Sequence, residues 1–235
     1  MVKIEVLFSE VCNLYGDLFN IKYLEKCLGE NCEIYYTNIS DEPKFVKEDV
    51  NMIYMAPMTE RTQELVIKKL LPYKERIQEL IDKNVVFLLT GNAPEVFGKY
   101  IENEDGSKIE ALGILDLYAK RNMMARHSSM FLGKYEDIEI IGYKDQFTMA
   151  YSDNSNNYFS QVIGGIGLNK ESKLEGIKIN NLIATYVLGP ILIFNPLLTK
   201  KILTMLGVKE SKLAYEKEIM DAYNQRLEEV KSRIN

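Results

Sequence analysis

The chain has 235 residues, 46% hydrophobic and 27% charged, which places it among globular proteins and excludes wholesale disorder. Its 29 Lys and Arg stand against 34 Asp and Glu, so the net charge of -5 leaves no electrostatic footprint for a nucleic-acid partner. The opening run from Val2 to Val11 lacks a basic start and a small-residue cleavage site, and no stretch reaches the ~18 apolar residues of a membrane span. The sequence therefore predicts a cytoplasmic protein.

In chain order, Val2–Phe8 is a β-branched and aromatic run that predicts a strand, and Asp17–Leu28 carries Leu18, Ile21, Leu24 and Leu28 at helical spacing before Gly29. Glu33–Ile39 and Val50–Met55 predict strands on either side of a loop at Ser40–Lys44. Thr59 caps a helix through Leu70, Pro72 interrupts it, and Tyr73–Lys83 resumes it. Val85–Leu89 has the unbroken apolar pattern of a strand buried on both faces of a parallel sheet. This alternation implies an open α/β sheet with ligands at the carboxyl ends of its strands.

Past Tyr100 a polar Glu-Asn-Glu-Asp-Gly turn leads into strand-like runs at Ile114–Ala119, Ser128–Leu132, Ile138–Tyr143, Ser160–Ile163, Gly176–Ile179 and Leu182–Val187. Short sequential strands favour antiparallel pairing and are expected to extend or flank the first sheet within a single domain spanning 1–235. A helical segment occupies about 196–235: Asn195-Pro196 opens one helix and Gly207 closes it. From about Tyr215 a last helix sets Ile219, Tyr223, Leu227, Val230 and Ile234 on one stripe that reads as a packing face.

Cys12, Cys27 and Cys32 are an odd set that fits reduced thiols. A structural zinc would need Cys12 and the sole histidine, His127, to complete Cys27 and Cys32, and paired short-spacing ligand motifs are absent, so the sequence predicts no metal. The chemistry is expected where Val85–Leu89 runs into Thr90-Gly91-Asn92-Ala93-Pro94, since such a strand-to-helix elbow can expose a nucleophile. Gly164-Gly165-Ile166-Gly167 lacks a following helix and reads as a hairpin turn, not a phosphate cradle.

Several segments then carry a family likeness: Asn13-Leu14-Tyr15-Gly16-Asp17 with Asn20 and Ile21, Gly98-Lys99-Tyr100-Ile101, Glu110–Asp116, and Thr185-Tyr186-Val187-Leu188-Gly189-Pro190-Ile191-Leu192. Together they resemble class I glutamine amidotransferases of the cobyric-acid-synthase-like branch, and within it the glutaminase subunits of bacterial lipid II isoglutaminyl synthases. The resemblance implies a three-layer, mostly parallel, flavodoxin-like sheet with flanking helices plus antiparallel extension strands. It also implies a Mur-ligase-like partner subunit that uses ATP and accepts ammonia, in cell-wall precursor or cobyric-acid-type metabolism.

The family's chemistry uses a Cys on the elbow, a His before Gly-Pro and a glycine-rich oxyanion loop. Aligning on Gly98–Ile101 puts Thr90 at the Cys position, and aligning on Gly189-Pro190 puts Leu188 at the His position. Ala56-Pro57-Met58 stand at the glycine-rich loop, and Lys144–Ala150 replace the branch's Glu-Asn-His-Gly-Gly-Arg-Thr stretch. A threonine hydroxyl needs a base that Leu188 cannot be, and Pro57 has no N–H to donate. The expectation is a degenerate, catalytically inactive amidotransferase-like protein with a vestigial pocket at Ala56, Pro57, Met58, Gly91 and Gln146, and no cofactor. Two alternatives stay open. One is an active glutaminase with relocated groups, for which Cys12 and His127 are the candidates; the other is a stand-alone binder whose pocket is lined by Thr90, Met58, Gln146 and Leu188.

Overall fold

A computed structural model describes residues 1–234. The first half runs β1 (Val2–Leu7), α1 (Phe19–Leu28), β2 (Cys32–Thr37), β3 (Met52–Met55), α2 (Glu60–Leu70), α3 (Lys74–Asp82), β4 (Val86–Thr90) and α4 (Ala93–Phe97). It continues with β5 (Tyr100–Glu102), β6 (Lys108–Glu110), β7 (Tyr118–Arg121), β8 (His127–Tyr135), β9 (Ile138–Gln146), β10 (Thr148–Tyr151) and β11 (Ser160–Gly164). The chain ends with β12 (Leu174–Glu175), β13 (Ile177–Ile179), β14 (Leu182–Thr185), α5 (Ile191–Phe194), α6 (Pro196–Met205) and α7 (Glu216–Ile234).

The main sheet has the order β13-β14-β4-β3-β1-β2 and is parallel except for β13. Counting β14 as the fifth parallel strand, this is the 2-1-3-4-5 order of flavodoxin-like folds, whose direction of travel reverses between β1 and β3. Every residue of β3 and β4 is buried, because helices cover both faces and leave no solvent side for alternation. In α2 the Thr59 hydroxyl accepts from the Thr62 N–H at 3.2 Å, while Glu60 in the first turn and Lys68 and Lys69 in the last complement the helix dipole. Pro72 sits in a 3-10 turn, Leu71–Tyr73, that separates α2 from α3.

Of the expected antiparallel strands, β13 joins the main sheet antiparallel to β14, while β14, expected to pair antiparallel, runs parallel to β4; the others lie in two four-stranded sheets, β10-β7-β5-β6 and β12-β11-β8-β9. The expected strand at Ile114–Ala119 begins only at Tyr118. Its first half is claimed by α4, whose orphan carbonyls at Val96 and Phe97 accept from the N–H groups of Leu112, Ile114 and Leu115 at 2.8 to 3.0 Å. The polar turn after Tyr100 closes a short hairpin, β5-β6, that the sequence pattern did not reveal. Gly165 and Gly167 lie in the turn that returns β11 to β12, as the hairpin reading requires.

Asn195 precedes α6 as expected, but its side chain does not cap the helix. It pairs instead with the Ile141 N–H and C=O, each at 2.8 Å, as a neighbouring strand would. On α7, Tyr223 and Val230 pack against Leu132 and Ile141, with Leu227 and Ile234 beside them, so most of the predicted stripe is a packing face. No helix among the described residues is long and apolar enough to cross a membrane.

Candidate active site at the carboxyl edge of the sheet

The chain leaves β1, β3, β4 and β14 at one edge of the sheet, next to the point where the strand order reverses. The segments that follow those strands carry Asp17, Pro57 and Met58, Gly91 and Asn92, and Tyr186 to Leu188. Sequence distance vanishes there: Asp17 and Thr90 are in contact although 73 residues separate them.

Thr90 is the last residue of β4 and is fully buried. Its hydroxyl donates to Oδ2 of Asp17, itself fully buried. The Tyr54 hydroxyl lies 2.8 Å from the same oxygen and from the Asp17 carbonyl, and Asn20 Nδ2 donates to Tyr54 at 3.2 Å. Asn20 Oδ1 in turn accepts from the Leu192 N–H at 2.9 Å, which ties the start of α1 to α5. Thr90 therefore does have a carboxylate beside it, a partner that sequence reasoning missed although it quoted Asp17 within a motif. The only signal was an acid in a loop after a strand, and nothing in its spacing pointed to residue 90. This buried pair anchors β4 to the loop after β1.

Burial pushes the Asp17 carboxyl above the usual carboxylate range, against the opposing pull of hydrogen bonds from Thr90 and Tyr54; Oδ1 has no partner. Glu95 of α4 is raised by burial in the same way, while Thr148, Gln63 and Tyr186 donate to it and oppose the shift. A carboxyl raised in the folded state binds its proton more tightly there than in the unfolded chain. Its stabilising contribution is complete below the unfolded value of about 4 and is lost as pH rises through the folded one. Asp17→Asn is thus expected to gain relative to the parent as pH increases. Urea midpoints for both proteins at pH 4.5, 6 and 7.5 check this, and a difference that stays constant would contradict it.

Leu188 is buried, and its backbone pairs with Tyr143 of β9 through bonds of 2.9 and 3.1 Å. Its Cδ2 would lie 3.2 Å from a Cβ built on Gly91, and Pro57 Cβ would lie 2.5 Å away. The structure thus brings together Pro57, Gly91 and Leu188 in one apolar contact directly after Thr90. The Met58 N–H is taken by Asn92 Oδ1 at 3.0 Å, and Asn92 Nδ2 donates back to the Met58 carbonyl at 2.7 Å. With Pro57 lacking an N–H, neither residue of this loop presents a free donor for an oxyanion.

Outside this contact lies a cleft of about 90 Å³ with Leu14, Pro57, Met58 and Phe147 among its apolar walls and Glu60, Asp145 and Gln146 among its polar ones. Gly91, Asn92, Thr148 and Tyr186 also line it. Of the sequence-predicted pocket, Pro57, Met58, Gly91 and Gln146 are at the cleft, whereas Ala56, Thr90 and Leu188 are buried and do not line it. The reason is packing: the Thr90 hydroxyl faces Asp17, and Leu188 is paired to β9. Tyr15, held at a φ of 60°, stands at the cleft beside Arg126, which grips the Asp145 carboxylate with Nε and one terminal nitrogen.

The relocated pair does not meet. Cys12 is fully buried with its thiol 3.7 Å from the Met58 sulfur, and burial pushes its pKa up to about 12, while His127 shares a 2.9 Å hydrogen bond with Ser129. Burial and the Lys144 charge lower the His127 pKa. The Cys27 sulfur accepts from the Ala214 N–H at 3.4 Å, and no group of three His, Cys, Asp or Glu residues suited to a metal ion occurs among the described residues.

Comparison with known proteins agrees with this architecture. The chain is 28% identical over 185 residues to lipid II isoglutaminyl synthase (glutamine-hydrolyzing) subunit GatD of Staphylococcus aureus strain N315, covering 78% of this chain and 75% of that one. It is 25% identical over 203 residues to the GatD subunit of Streptococcus pneumoniae strain R6, covering 84% and 77%. The chain is thus similar to these glutamine-hydrolyzing subunits. Its fold is shared with a solved glutamine amidotransferase at a TM-score of 0.56 and 14% identity, over 87% of this chain and 99% of the other. A second, from Thermotoga maritima, matches at 0.51 and 10% identity over 100% of this chain and 86% of that one. No protein-family profile matches the chain.

Proposed function

We propose that this chain is a catalytically inactive amidotransferase-like subunit that serves as a structural or regulatory partner of a Mur-ligase-like amidating enzyme in cell-wall precursor metabolism. The observation that carries the reading is the placement of Thr90: the residue aligned with the nucleophile is enclosed, and its hydroxyl donates into the core to Asp17. An acyl-enzyme route needs a nucleophile that is deprotonated near neutral pH, and loss of one member of such a catalytic unit removes about four decades of rate. Leu188 supplies only hydrocarbon at the position aligned with the base, and the Pro57-Met58 loop has no free N–H. The names of the GatD relatives, each a subunit of a glutamine-hydrolyzing synthase, support the partnered role.

The purified chain, alone and with a candidate Mur-ligase-like partner protein, is expected to release glutamate from L-glutamine no faster than the buffer blank. Turnover above the blank in either sample would establish an active glutaminase instead. Co-purification of the two proteins at a fixed ratio is the expected result for the partner role, and separate elution would contradict it. The binder reading gains one specific observation, the cleft itself, which survives beside the enclosed Thr90.

A further inference from the structure

The three sheets end on six edge strands, and five of these are short or covered. β6 has three residues and β12 has two. On β13 the Lys178 N–H donates outward to the Asn157 carbonyl at 2.6 Å, and on β10 Ala150 bonds outward to the Leu168 carbonyl and the Asn169 amide. β9 is closed by the Leu188 backbone and the Asn195 side chain. β2 is the exception. The Phe8 N–H donates to the Thr37 carbonyl, so alternation along the strand turns the backbone groups of Glu33, Tyr35 and Thr37 toward β1 and those of Cys32, Ile34 and Tyr36 away from it. Among the described residues no backbone group meets this outer row, and an open groove of about 490 Å³, lined by Ile34, Tyr35, Tyr36 and Thr37 and by the loop at Asp41, leaves it accessible. Edge strands are commonly blunted by Lys, Pro or a bulge, and Cys32-Glu33-Ile34-Tyr35-Tyr36-Thr37 has none of these.

We propose that β2 pairs antiparallel with β2 of a second copy of this chain across a two-fold axis at Ile34, joining the two main sheets edge to edge. The outward groups select that register. Centring on Ile34 lets Ile34 exchange both backbone bonds with Ile34 of the second copy, and Cys32 with Tyr36 on either side of the axis, so every outward group of the strand is met. Centring on Glu33 or on Tyr35 leaves Tyr36 or Cys32 without a strand partner, and the Glu33 register also sets two carboxylates directly opposite each other. In the Ile34 register Glu33 instead faces Tyr35 of the second copy. The Lys3 and Lys44 ammonium groups lie 5.9 and 5.6 Å from the centre of the Tyr35 ring, so the carboxylate meets positive charge there. The pairing does not depend on whether the chain hydrolyses glutamine.

Sedimentation equilibrium of the full chain, over a concentration series reaching about 100 μM, tests it, and a mass twice 27.1 kDa is expected. Ile34→Pro removes an outward N–H without touching the bonds to β1 and should weaken association at least about tenfold. Ile34→Lys sets two ammonium groups against each other at the axis, should weaken association by a similar factor, and decides the matter if the proline variant does not fold. The register is read by mild oxidation in a Cys32→Ser background. Ile34→Cys is expected to link two copies, because bonded antiparallel pairs lie about 5.5 Å apart at Cα and disulfides span about 4.4–6.8 Å. Glu33→Cys is expected to stay unlinked, since its counterpart in the second copy is displaced along the strand. A monomer at the highest concentration, association unchanged in folded Ile34→Lys, or linking through Glu33→Cys in place of Ile34→Cys would overturn the proposal.

Discussion

Lys144→Met is expected to lower the unfolding free energy by roughly 3–5 kcal/mol, the cost typical of leaving one half of a buried ion pair behind. Lys144 and Glu175 are both fully buried, and the Lys144 ammonium donates to the Glu175 carboxylate and to the Gly167 carbonyl. Its nitrogen also lies 5.8 Å from the centre of the Phe131 ring and 5.6 Å from that of Tyr186. Burial lowers the Lys144 pKa from its ordinary value, and the Glu175 carboxylate opposes that shift. On the other side Glu175 accepts from the Thr185 hydroxyl at 2.9 Å and the Tyr186 N–H at 2.8 Å, so it joins the end of β14 to β9 and β12. Methionine fills the volume but strands the carboxylate. Lys144→Met/Glu175→Gln is expected to recover most of the loss, because the amide oxygen still serves both donors without a charge. Urea unfolding of the two variants measures this, and a double variant no more stable than the single one would refute the ion-pair account.

Gly91→Ala is expected to cost about 2–5 kcal/mol, from a left-handed backbone penalty of about 1–2 and an overpacking penalty of about 1–3. Gly91 has a φ of +60°, and an added Cβ would sit 2.5 Å from Pro57 Cβ and 3.2 Å from Leu188 Cδ2. The two penalties act together because Pro57 is a ring held by its own backbone and cannot swing aside. Gly207→Ala is the control: its φ is +83°, and nothing lies within 4 Å of the added carbon, so only the backbone part of the loss should appear. Equal thermal shifts for the two variants would show that the contact with Pro57 and Leu188 carries no energy.

The parallel half of the fold was legible because its elements announce themselves locally. Unbroken apolar runs at Met52–Met55 and Val86–Leu89, and helices bounded by Thr59, Pro72 and Gly29, need no knowledge of distant residues. The antiparallel half was only partly legible. Tyr100–Glu102 and Lys108–Glu110 are too short to carry a pattern, and Ile114–Leu117 has strand composition yet is held by the end of α4. The site divides in the same way. Pro57, Met58, Gly91 and Gln146 were placed at the pocket by likeness to a family, whereas the places of Glu60 and Asp145 at the cleft and the hydrogen-bond networks of the Asp17 and Glu95 carboxyls were not foreseen.

The order of residues alone therefore determined the sheet's alternation and the elbow after β4. Only the folded chain decided that Thr90 turns inward to Asp17 and that Asn92 occupies the Met58 N–H. The physical reason is range. Periodicity and capping act over a few residues, but the partner of a buried polar group is whichever group the crossing of strands and loops delivers to it, here from as far as 172 positions away.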